Sequence, residues 1–315
     1  MRQVTSALES HSPLQHGILH VTIVTLVIMF LIMVLVFVLL VAASLRYRQG
    51  RRPGEPDQNF GNTKLELAWT ALPLLLLVCL FILTVIAMRE SDPPVASASG
   101  ADPPPDIVAV GHQFWWEFRY PAEGFVTANE MHIPAGRRLL LRIEGFDVIH
   151  DFWVPVLGRK MDAIPGQPNE MFFEASEPGE YGGTCAEFCG AEHAWMRILV
   201  IAQAENDFQL WIRQQQSLPP APSEPEAERG AQIFRTTSCG VCHAVNGVSS
   251  GRLGPDLTHV ASRQTLAAGR LVNNPVNLEA WIADPDKYKP GSFMPNAALS
   301  EPDLSALVRY LETLR

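Results

Sequence analysis

Residues 185–196 read Cys-Ala-Glu-Phe-Cys-Gly-Ala-Glu-His-Ala-Trp-Met. This stretch brings together two cysteines, a histidine and a methionine, namely Cys185, Cys189, His193 and Met196. Thiolate, imidazole and thioether groups together select copper over hard cations. In an exported domain a Cys-x₃-Cys pair can instead form a disulfide. The histidine and methionine that follow so closely behind the pair favour a metal site.

The two cysteines suggest a binuclear site, since two thiolates can bridge two copper ions. Each ion then needs a terminal imidazole, and His193 supplies one. The second must come from outside the loop, and His150, in Asp147-Val-Ile-His150-Asp-Phe-Trp, is the strongest candidate. The surrounding residues, 106–212, alternate apolar and polar side chains in short runs separated by Pro, Gly and Asn, which predicts an all-β sandwich or barrel.

A second cysteine motif stands at Cys239-Gly-Val-Cys242-His243. Two thiols at this spacing can add to the two vinyl groups of one porphyrin, and the adjacent histidine then faces the iron, so the motif predicts one covalently bound c-type haem. A redox dithiol and half a zinc site are the alternatives. A zinc site needs a second ligand pair, and residues 229–315 offer only His259 besides.

The segment around the haem motif supplies a sixth ligand. Met294 is the only methionine after Met196, and it lies in a Pro-flanked loop. A thioether opposite an imidazole raises the reduction potential of the iron, which suits an electron carrier. The segment 229–315 is predicted to be helical. Its last helix is capped by Ser300 and has an apolar face at helical spacing, formed by Leu304, Leu307, Val308 and Leu311.

The N-terminal part of the chain is apolar enough to cross a membrane twice. Residues 18–45 hold no charge, and residues 65–88 hold only Glu66. As helices they would span about 42 and about 36 Å, more than a hydrocarbon core of about 30 Å. The first run is too long for a signal peptide and has its basic residues on the wrong side. The sequence predicts a transmembrane hairpin within residues 1–90.

Charge predicts the orientation of this hairpin. The loop between the spans holds most of the basic residues of this region: Arg46, Arg48, Arg51, Arg52 and Lys64. Positive-inside bias places this loop in the cytoplasm. Both termini and both metal domains are then extracytoplasmic, and we expect a multi-pass protein of a bacterial plasma membrane.

Two linkers divide the rest of the chain. Residues 91–105 form a Pro/Ala/Ser spacer, and residues 213–228 form a linker rich in Gln, Pro and Glu. The predicted domains are therefore a β domain at 106–212 and a haem domain at 229–315. The chain is acidic overall, with a formal net charge of −9, and we expect no nucleic acid among its partners.

Most of residues 15–212 resemble cytochrome c oxidase subunit II. The resemblance is carried by the copper loop at 185–196, by Leu65 to Pro73 in the second span, by Gly111-His-Gln-Phe-Trp-Trp116, and by His150 to Pro155 together with Lys160 to Asn169. Residues 229–315 resemble a class I cytochrome c. The combination is similar to the caa-type oxidases, in which subunit II is fused to a cytochrome c.

The resemblance implies a fold and a ligand set. The fold is a two-helix transmembrane hairpin, a cupredoxin-like Greek-key β-barrel and an all-α class I cytochrome c domain. Cys185 and Cys189 would bridge the two ions of copper A, with His150 and His193 as terminal ligands. Met196 and the backbone carbonyl of Glu187 would be weak axial ligands, and the Glu187 carboxylate would help bind Mg²⁺ at the contact with subunit I. In the haem domain, the resemblance agrees with thioether bonds from Cys239 and Cys242 and axial ligation by His243 and Met294.

The function implied is that of an electron-relay subunit of cytochrome c oxidase. Electrons would come from a cytochrome c or a membrane cytochrome complex, pass through the haem to copper A, and leave for subunit I, with subunit III a further partner. No dioxygen-reducing site is visible in the chain, so no catalytic residue is expected here. The alternatives are a membrane-anchored copper-delivery or thiol oxidoreductase protein, and the electron-accepting subunit of another respiratory reductase.

Two departures from the family pattern concern the donor. Phe114 stands where the family commonly has a tryptophan associated with accepting electrons from free cytochrome c, and Arg119 follows closely. We expect the tethered haem to have replaced the free donor at this patch.

Residues 106–212 carry 7 basic against 16 acidic residues, and residues 226–315 carry 9 basic against 9 acidic residues. Overall attraction between the domains should therefore be weak, so tethering by the linker matters more.

Three further positions have two interpretations each. Trp115 and Trp116 are expected in the barrel core, with a role in the electron path as the alternative. Glu66 can stand at a point where protons enter, as the resemblance suggests, or can simply reach the membrane surface. His112, His132 and His259 are expected to be structural or surface groups.

Overall fold

The structure is a computed structural model that describes residues 6–48, 58, 60–91 and 104–315. Most of the spacer predicted at 91–105 lies outside the described residues, as does much of the basic loop, Arg51 and Arg52 included. The chain forms two compact units. One contains residues 16–90, and the other contains residues 1–15 together with 91–315.

The smaller unit contains most of two long apolar helices, α1 (Pro13–Arg46) and α2 (Thr63–Ser91). Both are long and apolar enough to cross a membrane, as the sequence predicts. Their side chains are exposed to the surroundings, for example Phe37 at 66% and Leu74 at 60%. Apolar side chains on a helix with no protein cover are what a lipid environment requires.

Ten strands form the β domain. They are β1 (Ile107–His112), β2 (Trp115–Tyr120), β3 (Phe125–Ala128), β4 (Glu130–Pro134), β5 (Leu139–Gly145), β6 (His150–Trp153), β7 (Met161–Ala163), β8 (Asn169–Phe173), β9 (Gly179–Cys185) and β10 (Arg197–Gln203). They build two five-stranded sheets, in the orders β3-β2-β1-β5-β8 and β4-β10-β9-β6-β7. The pairs β1–β5 and β4–β10 are parallel and the other pairs antiparallel, which matches the expected all-β, cupredoxin-like architecture.

The core of this domain lies between the two sheets. Alternation along β5 produces it, since Leu139, Leu141 and Ile143 are at most 2% exposed while the residues between them are half-buried. Trp116 and Phe152 meet edge to face in the same core, with ring centroids 5.5 Å apart. Helix α3 (Glu205–Gln216) follows β10 and buries Phe208 and Ile212 in this core.

The haem domain is helical, as predicted. Its helices are α4 (Pro225–Thr236), α5 (Cys239–Cys242), α6 (Pro275–Ala283), α7 (Pro285–Tyr288) and α8 (Glu301–Thr313). The domain also contains two short antiparallel strand pairs, β11 (Ala244–Val245) with β12 (Ser249–Ser250), and β13 (Thr265–Leu266) with β14 (Leu271–Val272). Ser300 caps α8 by accepting from the Asp303 N–H, and the four predicted apolar residues of α8 are buried.

Helices α4 and α8 cross closely because Gly230 lacks a side chain. A Cβ atom there would lie 1.9 Å from the carbonyl oxygen of Ala306. Residues 217–224 connect α3 to α4 outside any helix, so the ends of the linker predicted at 213–228 are helical. Each domain has its own apolar core, and a third small cluster of Trp115, Ala128 and Ala268 contains residues of both.

Candidate metal centres

The copper loop lies at one end of the β sandwich. Cys185 is the last residue of β9, and residues 186–196 return the chain to β10. His150 opens β6, the neighbour of β9, where Phe152 pairs with Cys185. The strand register therefore brings the histidine predicted from outside the loop to the loop itself.

Four of the predicted ligands surround one small volume. The Sγ atoms of Cys185 and Cys189 are 3.9 Å apart, and both thiols are free. His150 Nδ1 lies 3.9 Å from the Sγ of Cys185, and His193 Nδ1 lies 3.7 Å from the Sγ of Cys189. Donor atoms of His150 and both cysteines lie within 4.8 Å of one another, close enough to share a metal.

Two weaker donors complete the cluster. The Met196 thioether sulfur is 3.9 Å from the Sγ of Cys189, and Met196 is fully buried. The thiol of Cys185 donates to the backbone carbonyl of Glu187 over 3.2 Å. The Glu187 side chain itself is exposed. The backbone of Glu187 thus faces the cluster while its carboxylate is available to a second group.

Asp147 holds the ring of His150. Its Oδ1 lies 2.8 Å from His150 Nε2. Burial acts to lower the pKa of His150, but the hydrogen bond to Asp147 and the neighbouring thiol of Cys185 outweigh it and raise the pKa. An N–H at Nε2 leaves the Nδ1 lone pair facing the thiols, which is the arrangement that a metal ligand needs.

The two cysteine thiols shift each other's pKa in opposite directions. The hydrogen bond between the two sulfurs lowers the pKa of the Cys185 thiol and raises the pKa of the Cys189 thiol. A metal that takes both sulfurs as thiolates displaces the thiol protons. Both cysteines are at most 4% exposed, so the sulfurs are shielded from bulk water. This donor set fits a copper centre.

His243 is prepared in the same way on the haem side. Its Nδ1 donates to the carbonyl of Pro255 over 2.7 Å, which leaves Nε2 free to bind iron. Burial lowers the pKa of His243, which favours the neutral ring that an iron ligand needs. Gly254 is required here, because a Cβ atom would lie 2.5 Å from Cε1 of His243.

Two adjoining cavities of about 470 and about 90 Å³ border His243 and share Met294, Cys242, Trp281 and Pro295 as lining residues. Cys239 lines the smaller one. Two free thiols, an imidazole and a thioether around an apolar cavity fit a covalently attached haem with two axial ligands. The larger cavity reaches the β domain, where Phe114 and Trp115 form part of its wall.

The sequence is 39% identical to cytochrome c oxidase subunit 2 of Alkalihalophilus pseudofirmus, with 98% of this chain and 91% of that protein covered. The chain belongs to the cytochrome c oxidase subunit II family. It is also 33% identical to cytochrome c oxidase subunit 2 of Bacillus subtilis, over 93% of this chain and 87% of the relative. The crystal structure of the periplasmic domain of subunit II of cytochrome oxidase from Bradyrhizobium japonicum is 33% identical, covers 36% of this chain and 96% of its own, and has a TM-score of 0.35.

Family models match along most of the chain. The transmembrane domain of cytochrome c oxidase subunit II matches residues 5–87, its periplasmic domain residues 122–203, and cytochrome c residues 227–315. The resemblance stated from the sequence is thereby confirmed. The chain is a membrane protein and a subunit II of a haem-copper oxidase, and its two metal domains imply copper A and haem c.

The structure also shows where the two tryptophans and Glu66 lie. Trp116 lies in the barrel core as expected, whereas Trp115 packs against Ala268 of the haem domain. Glu66 makes a local contact at the start of α2, where its Oε1 accepts from the Asn62 N–H over 3.2 Å.

Sequence reasoning missed Asp147, Glu130 and Lys289. Asp147 could have been predicted from its position three residues before His150, since ligand histidines usually hydrogen-bond a carboxylate. The other two act across the contact between domains, and no local pattern marks them.

Proposed function

We propose that this subunit II accepts electrons at its own haem c, passes them to copper A, and delivers them to a partner subunit that reduces dioxygen. One observation carries the proposal. The cavity beside His243 and Met294 is walled in part by Phe114 and Trp115 of the β domain, and Gln113, the residue before Phe114, donates to the carbonyl of Cys189 in the copper loop. The two candidate centres therefore face each other through a few residues.

The proposed copper ligands are His150, Cys185, Cys189, His193 and Met196, with the backbone carbonyl of Glu187. The proposed haem ligands are Cys239 and Cys242 as thioethers and His243 and Met294 at the iron. When bound, copper A and haem c each supply a carrier that takes up and gives up one electron at a time.

The chain's own residues hold these groups in fixed surroundings. Asp147 and the Pro255 carbonyl orient the two imidazoles that they hydrogen-bond. Full burial of His150 and Met196 keeps water from one side of the copper loop. Rigid and dry surroundings change little when charge arrives, which favours fast electron transfer.

The assembly follows from the same proposal. The exposed carboxylate of Glu187 would bind Mg²⁺ together with subunit I, and subunit III would complete the complex. The chain would lie in a bacterial plasma membrane with both metal domains outside, at about 106–212 and 229–315, joined by a linker around 213–228. Glu66 would stand where protons enter from the cytoplasm. The donor would be a cytochrome c or a membrane cytochrome complex.

Replacing one bridging thiol tests the relay. In the purified oxidase, Cys189→Ser should abolish the two-copper EPR signal and should leave the haem reducible but unable to pass electrons on. Cys79→Ser, which removes a thiol exposed on α2, is the matched control and should behave as wild type. A Cys189→Ser oxidase that keeps its EPR signal and its turnover would overturn the proposal.

A further inference from the structure

Two buried ionisable side chains join the β domain and the haem domain. Glu130 of the β domain contacts the haem domain, and Lys289 of the haem domain contacts the β domain. On the β-domain side, Glu130 is 2% exposed. Its carboxylate accepts from the N–H groups of Gln264 and Thr265, over 3.0 and 2.8 Å, and from the Thr265 hydroxyl over 2.9 Å. A carboxylate of one domain thus satisfies backbone donors of the other.

Lys289 makes the reciprocal contact from the haem domain. It is 4% exposed, and its Nζ donates to the backbone carbonyl of Phe114 over 2.9 Å. Lysine is almost never buried unless it is paired, because removing an ammonium from water is costly. Desolvation lowers the pKa of Lys289 to about 8, and the nearby carboxylate of Glu192 opposes that effect.

Glu192 belongs to the copper loop and is itself 3% exposed. Within the part of the chain that the structure describes, its Oε2 has no hydrogen-bond partner. Burial raises the pKa of Glu192, and the nearby Lys289 ammonium opposes that effect. The loop therefore places a buried carboxyl group near the point where the haem domain inserts the Lys289 ammonium. The attraction between such groups is offset by desolvation, so they contribute mainly to the register of an interface.

The position of Lys289 connects the two candidate metal sites. Along the chain it precedes Met294 by five residues, in the loop that borders the haem cavity. Across the interface Lys289 donates to the backbone carbonyl of Phe114. Gln113, the residue before Phe114, donates from its side chain to the carbonyl of Cys189. Two hydrogen bonds and one stretch of backbone thus join the Met294 loop to a proposed copper ligand.

A second contact reinforces this connection. The rings of Phe114 and Phe293 stack with their centroids 5.9 Å apart. Gly190, directly after Cys189, allows the approach, because a Cβ atom there would lie 3.0 Å from the Phe114 ring. The fit is local and specific, although the domains as wholes have little charge complementarity.

We propose that Lys289 is a positioning residue for electron transfer between the two domains, fixing the loop of Met294 against the loop of Cys189. The inference rests on the proposed relay function and adds that docking at one register, rather than the tether alone, sets the transfer rate. With both groups bound, one electron would pass from the haem to the copper pair with no bond formed or broken, and the role of Lys289 would be to hold the two loops together.

The test compares variants of the complete oxidase after flash reduction of the haem. Lys289→Met keeps the length and the apolar stem but leaves the Phe114 carbonyl without its donor. We expect haem-to-copper electron transfer to slow by about tenfold or more, since truncating one partner of a buried, hydrogen-bonded charge commonly weakens an interface by at least that factor. Lys289→Arg should restore part of the rate. Lys287→Met, at an exposed position two residues away, should leave the rate unchanged.

Two readouts separate positioning from general damage: the haem spectrum and the two-copper EPR signal. Both should stay at wild-type values in Lys289→Met. The haem midpoint potential is titrated as well, because loss of a buried positive charge beside the cavity lowers it, and the transfer rates are compared after correction for that change in driving force. An unchanged corrected rate in that variant overturns the inference, and so does a slowed rate accompanied by a changed haem spectrum or EPR signal. Failure of the relay function itself looks different, because wild type would then show no haem-to-copper transfer.

Discussion

The Nε2 atom of His150 lies 2.8 Å from Oδ1 of Asp147, while Nδ1 of the same ring faces the Sγ of Cys185 at 3.9 Å. Asp147 is held in turn, since its carboxylate accepts from the N–H groups of Gln113 and Val148, each over 2.7 Å. One carboxylate therefore fixes the orientation of the histidine and links it to the turn that follows β1.

Asp147→Asn should weaken copper binding without unfolding the domain. Loss of a carboxylate partner of a ligand histidine typically costs about 10- to 100-fold in metal affinity. The measurement is copper retained by the purified oxidase against a competing chelator. Asp106→Asn is the control, because that carboxylate also accepts from a backbone N–H, that of Leu140 over 2.7 Å, just before β1. Equal retention in the Asp147 variant and the control would contradict the prediction.

Met294→Leu should lower the reduction potential of the haem. A thioether opposite histidine stabilises reduced iron, and leucine of similar volume removes the sulfur while filling the cavity wall. A redox titration followed by the optical spectrum checks this. Met161→Leu, a half-buried methionine in the β domain, should leave the potential where it was. A wild-type potential in Met294→Leu would rule this residue out as the sixth ligand.

The ligand sets predicted for the two centres came from local patterns in the sequence. Cys185, Cys189, His193 and Met196 lie within twelve consecutive residues, and the return of the chain from β9 to β10 keeps them at one end of the sandwich. His150 was predicted from chemical need alone, and the pairing of β6 with β9 explains why it reaches the loop. These predictions depended on spacing and ligand chemistry, which a sequence carries directly.

The contact between the domains could not be predicted in this way. Overall charge counts indicated weak attraction, yet Glu130 and Lys289 are buried against the backbone of the opposite domain. Almost every residue carries the same backbone donor and acceptor, so the sequence does not show which of them a side chain will meet. A lysine that becomes buried cannot be distinguished in the sequence from one at the surface. Trp115 was expected in the barrel core because it is a large apolar residue in a predicted strand, yet it packs beside Ala268 of the haem domain.

The stability of the β domain should depend on pH through His132. Its ring stacks on Trp211 at 4.1 Å, and burial lowers its pKa from 6.5 to about 4. Between pH 6.5 and about pH 4 the unfolded chain binds a proton that the folded chain does not. The free energy of unfolding should therefore fall as the pH falls through this window, by up to about 3 kcal/mol.

Urea unfolding of the full chain in detergent, followed by circular dichroism at a series of pH values, measures this effect. His132→Phe keeps a flat ring beside Trp211 but cannot titrate, so its unfolding free energy should depend less steeply on pH than that of wild type. Contributions of the other titrating groups cancel in the comparison. Identical slopes for the two proteins would show that His132 is not responsible.

Glu130→Gln should loosen the haem domain where it meets the β domain. The carboxylate uses both oxygens as acceptors for Gln264 and Thr265, whereas an amide must turn one N–H group toward a donor. Leaving such groups unsatisfied costs about 1–3 kcal/mol. Hydrogen exchange at the Gln264 and Thr265 amides should accelerate by about 5- to 150-fold, because exchange reports the local opening free energy. Glu180→Gln is the control, since Glu180 meets only the exposed side chain of Gln264 and no backbone donor of that loop. Exchange at wild-type rates in Glu130→Gln would mean that the docking does not depend on this carboxylate.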